Sequence, residues 1–290
     1  MQKLKSKKCH KNFSWHLFIV TKIVLPILML VTLPIIPIIF FSTDMVDLSL
    51  EILLKSTEKV DLAIEILKHL NLSLTYLISI LVLFVLLNFF KKQNANKLFN
   101  SNGNIYYNFY YPLFWISTNI LGYEKIQLAG IPLHLQYKLV LRGTFPKIIP
   151  DFWENHYDTN EGLDNVTLDC SKIETVSKEV NLIISDTYFI KNEEICVRYR
   201  DLPTIRVSSK LINRRYLNKE LVQKTREAMQ LLRSKGYTEI NVFSTANPQN
   251  NLNIINSSFR FFGRFSDAKV YVMQKDNGNN SKYSKRYRVI

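Results

Sequence analysis

Two uncharged runs of 19 residues, Ile23 to Phe41 and Leu72 to Phe90, limit what this 290-residue chain can fold into. At about 1.5 Å per residue, each matches the roughly 30 Å hydrocarbon core of a bilayer. Neither contains Asp, Glu, Lys, Arg or His. Both are expected to be transmembrane helices, paired as a hairpin. The first is too long for the apolar segment of a signal peptide, and Ser42-Thr43-Asp44 offers no small-x-small cleavage site, so it is expected to be retained. With no ionisable group inside either span, transport and proton relay lack polar machinery. Pro26, Pro34 and Pro37 each remove a backbone donor, so the first span is expected to be kinked, either as a plain anchor or as a deformable segment.

Lysine asymmetry gives the orientation, because positively charged flanks stay in the cytoplasm. Lys3, Lys5, Lys7, Lys8 and Lys11 precede the first span, and Lys91, Lys92 and Lys97 follow the second. Residues 42–71 between them hold six acidic residues against three lysines. Both termini are therefore expected inside, with a short acidic loop outside. The formal net charge of +14 is concentrated at the ends: residues 1–12 supply +5 and residues 275–290 supply +4. Such ends suit anionic lipid headgroups, so a lipid bilayer is the expected partner and a DNA or RNA polymer is not. The expected division is a basic N-terminus (1–22), a span (23–41), an extracytoplasmic loop (42–71), a span (72–90), a linker (91–104), a cytoplasmic domain (105–274) and a basic tail (275–290).

Asn100-Ser101-Asn102-Gly103-Asn104 is the clearest linker. The aromatic stretch after it, Tyr106 to Trp115, reads as a headgroup-level belt, with base stacking as the sharper alternative. From Leu133 to Leu141 apolar residues fall on every odd position, the period of a half-buried strand. Asn181 to Ser185 and Thr204 to Val207 read as strands. Asn218 caps a helix running to Lys235, which Gly236 closes. Ile240 to Phe243, Gln249 to Phe262 and Lys269 to Met273 read as strand, helix and strand. Alternation of this kind gives an α/β domain with a mostly parallel sheet.

Ligands of such sheets bind beyond the carboxyl ends of the strands. That rule selects Arg206, Ser208 and Lys210 around one strand end, and Ser244, Thr245 and Asn247 after another. The Ser244–Pro248 turn offers hydroxyls, an amide and helix N-terminal N–H groups, which suit an anion such as a phosphate. The plainer account is that Asn247 or Thr245 is an N-cap. Arg214, Arg215, Arg260 and Arg264 add charge nearby.

No catalytic set emerges. The domain holds two histidines, His134 on the polar face of its expected strand and His156 in a surface turn from Trp153 to Asp158. Cys9, Cys170 and Cys196 form no CxxC pair, and Cys196 is expected to be buried. The eight glycines build neither GxGxxG nor GxxxxGK[ST]. The chain is expected to be a non-enzyme with no cofactor and no metal.

The run Leu182-Ile183-Ile184-Ser185, Ile205-Arg206-Val207, the helix 219–235, Ile240 through Pro248 and Val270-Tyr271-Val272 resembles the C-terminal part of SAVED domains. These are Rossmann/CARF-like second-messenger receptors of bacterial CBASS antiphage systems. Where that family carries a glycine after the proline, this chain has Asn256, with the glycine later at Gly263. The resemblance implies a SAVED-like domain that binds a cyclic di- or trinucleotide made by a partner nucleotidyltransferase. It also implies homo-oligomerisation on activation and disruption of the inner membrane through the helices. Only the loop Ser244 to Pro248 carries over as ligand-facing. The alternatives are a STING-like or β-barrel receptor on the same anchor, or a non-enzymatic membrane scaffold.

Overall fold

The computed structural model describes residues 16–40, 74–102, 105–151, 158–159, 165–173, 177–210, 216–260, 268–276 and 281–290. The N-terminal lysines, the acidic loop, Trp153 to Tyr157, Arg214, Arg215, Gly263 and Arg264 lie outside the described residues. The chain divides into two compact units, residues 1–98 with 112–124 and residues 99–111 with 125–290.

The first unit holds α1 (His16–Phe40) and α2 (Leu74–Asn94), both long and apolar enough to cross a membrane. They pack along one another. On α1 the buried residues Ile23, Leu30 and Pro37 recur every two turns, forming one stripe. Leu17, Val24, Leu28, Val31, Ile35 and Ile39 are exposed, as lipid-facing positions should be. The turn Val20–Val24 is a π-helix in which the Leu25 N–H reaches Val20 O. Pro26 explains it: the ring has no N–H to donate and collides with the carbonyl four residues back, and a widened turn relieves both. Pro34 and Pro37 lie inside the helix without interrupting it. Thr32 and Ser79 return their hydroxyls to Leu28 O and Thr75 O, at 2.9 Å each, which satisfies them where water is excluded. A short helix, α3 (Tyr111–Asn119), leads into a turn that Asn94 fixes by donating from Nδ2 to Leu121 O at 2.8 Å.

The second unit is mixed α/β. In chain order it contains β1 (Lys125–Gln127), α4 (Leu133–Leu141), β2 (Lys147–Ile149), β3 (Asp158–Thr159), β4 (Val166–Ser171) and β5 (Glu179–Ser185). Then come α5 (Val197–Arg200), β6 (Thr204–Ser209), β7 (Tyr216–Leu217), α6 (Lys219–Ser234), β8 (Glu239–Ser244), α7 (Pro248–Ile254), β9 (Lys269–Lys275) and β10 (Tyr283–Arg288). The main sheet has the order β10-β9-β8-β5-β6-β4. Its four central strands are parallel, and β4 and β10 are antiparallel edges. A parallel sheet of this kind replaces the β-barrel alternative.

Alternation along the strands separates two faces. Leu182, Ile184, Val207, Val242 and Val272 join α4, α6 and the π-turn Ile255–Phe259 in one core. Ile183, Phe243 and Met273 meet Ile190, Ile195, Tyr199 and Tyr283 on the other. Helix α6 forms as its spacing dictates. Asn218 Oδ1 accepts from Leu221 N at 2.9 Å, Leu221, Thr225, Ala228, Met229 and Leu232 are buried, and Gly236 adopts φ +75° just past the end.

The structure corrects several expectations. Leu133–Leu141 is a helix, not a strand, and two of its three polar positions are buried too: Gln136 Nε2 donates to Ile131 O at 2.8 Å, and His134 packs inside. The expected tail contains the edge strand β10. It is held by Arg286, which reaches Glu239 at 2.6 Å and Glu179 at 3.0 Å and lies 3.5 Å above the Tyr271 ring. Asn100, read as linker, is fully buried and exchanges three hydrogen bonds with Gln127. In the aromatic stretch Tyr107 and Phe109 are core residues packed edge to face, while Tyr106, Tyr110 and Trp115 are exposed.

Candidate ligand site at the carboxyl ends of the parallel strands

The order β9-β8-β5-β6 places the next two parallel strands in chain order after β5, β6 and β8, on opposite sides of it. The carboxyl ends of β5 and β8 therefore form the crevice where open α/β sheets bind ligands. Asp186, directly after β5, is buried at that point. Its Oδ2 accepts from Asn247 N at 3.2 Å, Asn247 Nδ2 at 3.3 Å and Asn250 Nδ2 at 2.9 Å. Burial pushes the carboxyl above its usual range, and the asparagine donors pull it back.

Of the sequence-selected residues, Asn247 bonds this carboxylate, Thr245 bonds the Asp186 backbone, and Ser244 bonds within its own turn and α7. Asn247 caps α7 by accepting from Asn250 N at 2.9 Å. Thr245 Oγ1 accepts from Asp186 N at 3.0 Å and donates to Tyr188 O at 2.7 Å. Ser244 Oγ accepts from Ala246 N at 3.1 Å and donates to Asn251 Oδ1 at 3.2 Å. The anion that the turn suits is thus supplied internally, by Asp186. These side chains shape the crevice floor; their polar atoms are committed to one another.

Arg206 and Ser208 lie elsewhere, on the sheet face that carries Ile183. Arg206 donates to Ile190 O at 2.6 Å and Asn192 Oδ1 at 3.0 Å, and its guanidinium lies 4.6 Å from the Phe189 ring centre. Burial lowers its pKa, and the facing Asp169 opposes that. Ser208 stands beside Ser185 in the parallel register, with its hydroxyl buried and without a partner. Lys210 is exposed past the end of β6, where its backbone N–H donates to Asn165 O at 2.7 Å.

Sequence reasoning missed Asp186, Tyr188 and Phe189. The signal for Asp186 was its place immediately after an apolar strand. Tyr188 and Phe189 follow it and are 44% and 47% exposed. Lys275 lies 5.2 Å from the Tyr188 ring centre and ion-pairs with Glu194 at 2.6 Å. His134, expected on a strand, donates from Nδ1 to Gln274 Oε1 at 3.0 Å and stacks on Tyr287 at 3.9 Å. Cys196 is half-buried at the start of α5, and Cys170 is exposed on β4. Among the described residues no cluster of His, Cys, Asp and Glu could hold a metal.

No protein of curated function matches the chain. Among solved structures, the Acinetobacter baumannii Cap4 SAVED/CARF-domain containing receptor with the cyclic trinucleotide 3'3'3'-cAAA is similar at 11% identity and TM-score 0.43, over 61% of this chain and 41% of that one. The same receptor with 2'3'3'-cAAA gives 11% and 0.44 over the same shares. The Moraxella osloensis Cap4 SAVED/CARF-domain containing receptor gives 13% and 0.36, over 59% of this chain and 38% of that one. The chain thus spans about two fifths of the length of these receptors. The family model for the SMODS- and Ubiquitin system-associated 2TM effector domain matches residues 5–290, so the chain, with its two membrane-length helices and its α/β unit, belongs to that family.

Proposed function

We propose that this protein is a membrane-anchored effector that binds a cyclic oligonucleotide through its α/β unit, oligomerises, and then disrupts the inner membrane through α1 and α2. The observation that carries this reading is the family match along nearly the whole chain, which joins two apolar helices to a mostly parallel sheet. Flanking lysines support a hairpin with both termini in the cytoplasm, so the α/β unit meets a messenger made by a partner nucleotidyltransferase. No enzymatic step is assigned. The protein acts by binding, and its uncharged spans suit damage to the bilayer better than selective transport.

The experiment uses the full chain in dye-loaded liposomes of bacterial lipid composition. A panel of cyclic di- and trinucleotides is added from the side of the α/β unit, and dye release and cross-linked oligomers are followed together. One member of the panel is expected to trigger both. Release without any added nucleotide, unchanged by every member, sinks the receptor reading.

A further inference from the structure

We infer that Tyr188 and Phe189 form a two-sided stacking platform for the bases of the cyclic oligonucleotide, a proposal that rests on the function proposed above. The segment after β5 is held at three backbone points: Thr245 Oγ1 on Tyr188 O at 2.7 Å, Ser185 Oγ on Ile190 N at 3.3 Å, and Arg206 on Ile190 O at 2.6 Å. Its backbone is fixed, yet it presents two adjacent aromatic rings to solvent. Each ring lies close to a cation that is itself tethered, Phe189 to Arg206 and Tyr188 to Lys275. A cation held against a ring fixes the ring and attracts its π-face, and the exposed part of the ring remains available for stacking.

The contacts also set the ligand class. Tyr188 leans toward β9 and β10, where Lys275 and the Tyr283 hydroxyl lie, and Phe189 leans toward β6. Rings on either side of one strand suit a ligand that presents more than one base, and a mononucleotide engages only half of the platform. Arg206 is then a positioning residue, its polar atoms turned to Ile190 and Asn192. Ser208, on the same sheet face two residues along, has the buried hydroxyl without a partner.

The test measures binding of cyclic di- and trinucleotides, and of AMP, to the full chain in lipid nanodiscs by calorimetry. Tyr188→Ala and Phe189→Ala are each expected to weaken the best ligand by roughly tenfold or more, the usual contribution of one stacked base. Phe189→Trp retains binding, AMP binds far more weakly than the cyclic ligand, and Tyr110→Ala, an exposed aromatic remote in sequence, changes affinity less than about twofold by the same comparison. Wild-type binding that Tyr188→Ala and Phe189→Ala leave unchanged overturns the platform and leaves the receptor reading intact. A wild-type protein that binds no member overturns both. Thermal unfolding of each variant separates lost stacking from lost fold.

Discussion

At the scale of single residues, the buried Asp186 shows how a crevice can look ready for an anion yet already contain one. A carboxylate out of water is costly unless donors surround it, and three N–H groups converge on its Oδ2. His134 is the complementary case of a titratable group kept neutral. Burial lowers its pKa to about 4, against the hydrogen bond that it donates to Gln274 Oε1, with Lys138 one turn on opposing the charged form further. The folded ring is therefore harder to protonate than the unfolded one. Above about pH 6.5 both are neutral, and stability is at its full value. As pH falls from 6.5 toward about 4, the unfolded chain gains a proton that the folded chain refuses, and stability falls. The loss should be about 1–2 kcal/mol, less than the whole shift because water reaches part of the ring's surroundings. Urea midpoints of the detergent-solubilised protein between pH 4 and 7 would read it. His134→Gln, which keeps a partner for Gln274, should flatten that part of the profile; an unchanged slope rules His134 out as its source.

At the scale of elements, the turn after α3 is set by one glycine. Gly122 adopts φ +79°, and a Cβ there would meet the Lys91 backbone near the end of α2. Gly122→Ala combines an unfavourable φ with a backbone collision, so it should cost about 2 kcal/mol or more. Limited proteolysis in detergent should show faster cleavage around residues 95–124, and equal rates would show that the turn relaxes freely. The elements that could be read from sequence share a feature: their signals are local. Asn218, the apolar face of α6, Gly236 and the strand after it lie within one stretch, and each acts on its immediate neighbours. Helix α4 was hidden because Gln136 and His134 are polar yet buried, with partners at Ile131 and Gln274. Strand β10 was hidden because Arg286 owes its place to Glu179 and Glu239, more than 45 residues away. The same holds for the crevice. Residues of the Ser244–Pro248 turn were legible as helix-capping chemistry, but the carboxylate that occupies their donors comes from the end of a different strand.

At the scale of the whole molecule, the function proposed above requires a ligand that shifts the protein toward a membrane-active state by binding that state more tightly. Moving the balance from 1:99 to 99:1 requires a difference of about 10⁴-fold in affinity. A modest bias in the resting equilibrium makes such a shift easier, and on that proposal the prolines of α1 supply one. Pro34 and Pro37 sit inside a continuous helix. Each withholds a hydrogen bond from the carbonyl four residues earlier, at Leu30 and Leu33, which lipid cannot satisfy. A straight anchor gains nothing from those carbonyls; a helix that bends when subunits assemble can offer them to water or to a neighbouring chain. Replacing Pro34 and Pro37 together with leucine removes the freed carbonyls and leaves the apolar length unchanged. The variant should resist alkaline extraction from membranes as the wild type does, and it should bind the same cyclic oligonucleotide with the same affinity. Ligand-triggered dye release should nevertheless drop at least about tenfold, as expected if restoring two helical hydrogen bonds favours the resting helix by more than 1.4 kcal/mol. Release at the wild-type rate would mean that α1 serves as an anchor alone and that the disruptive step belongs to another part of the hairpin.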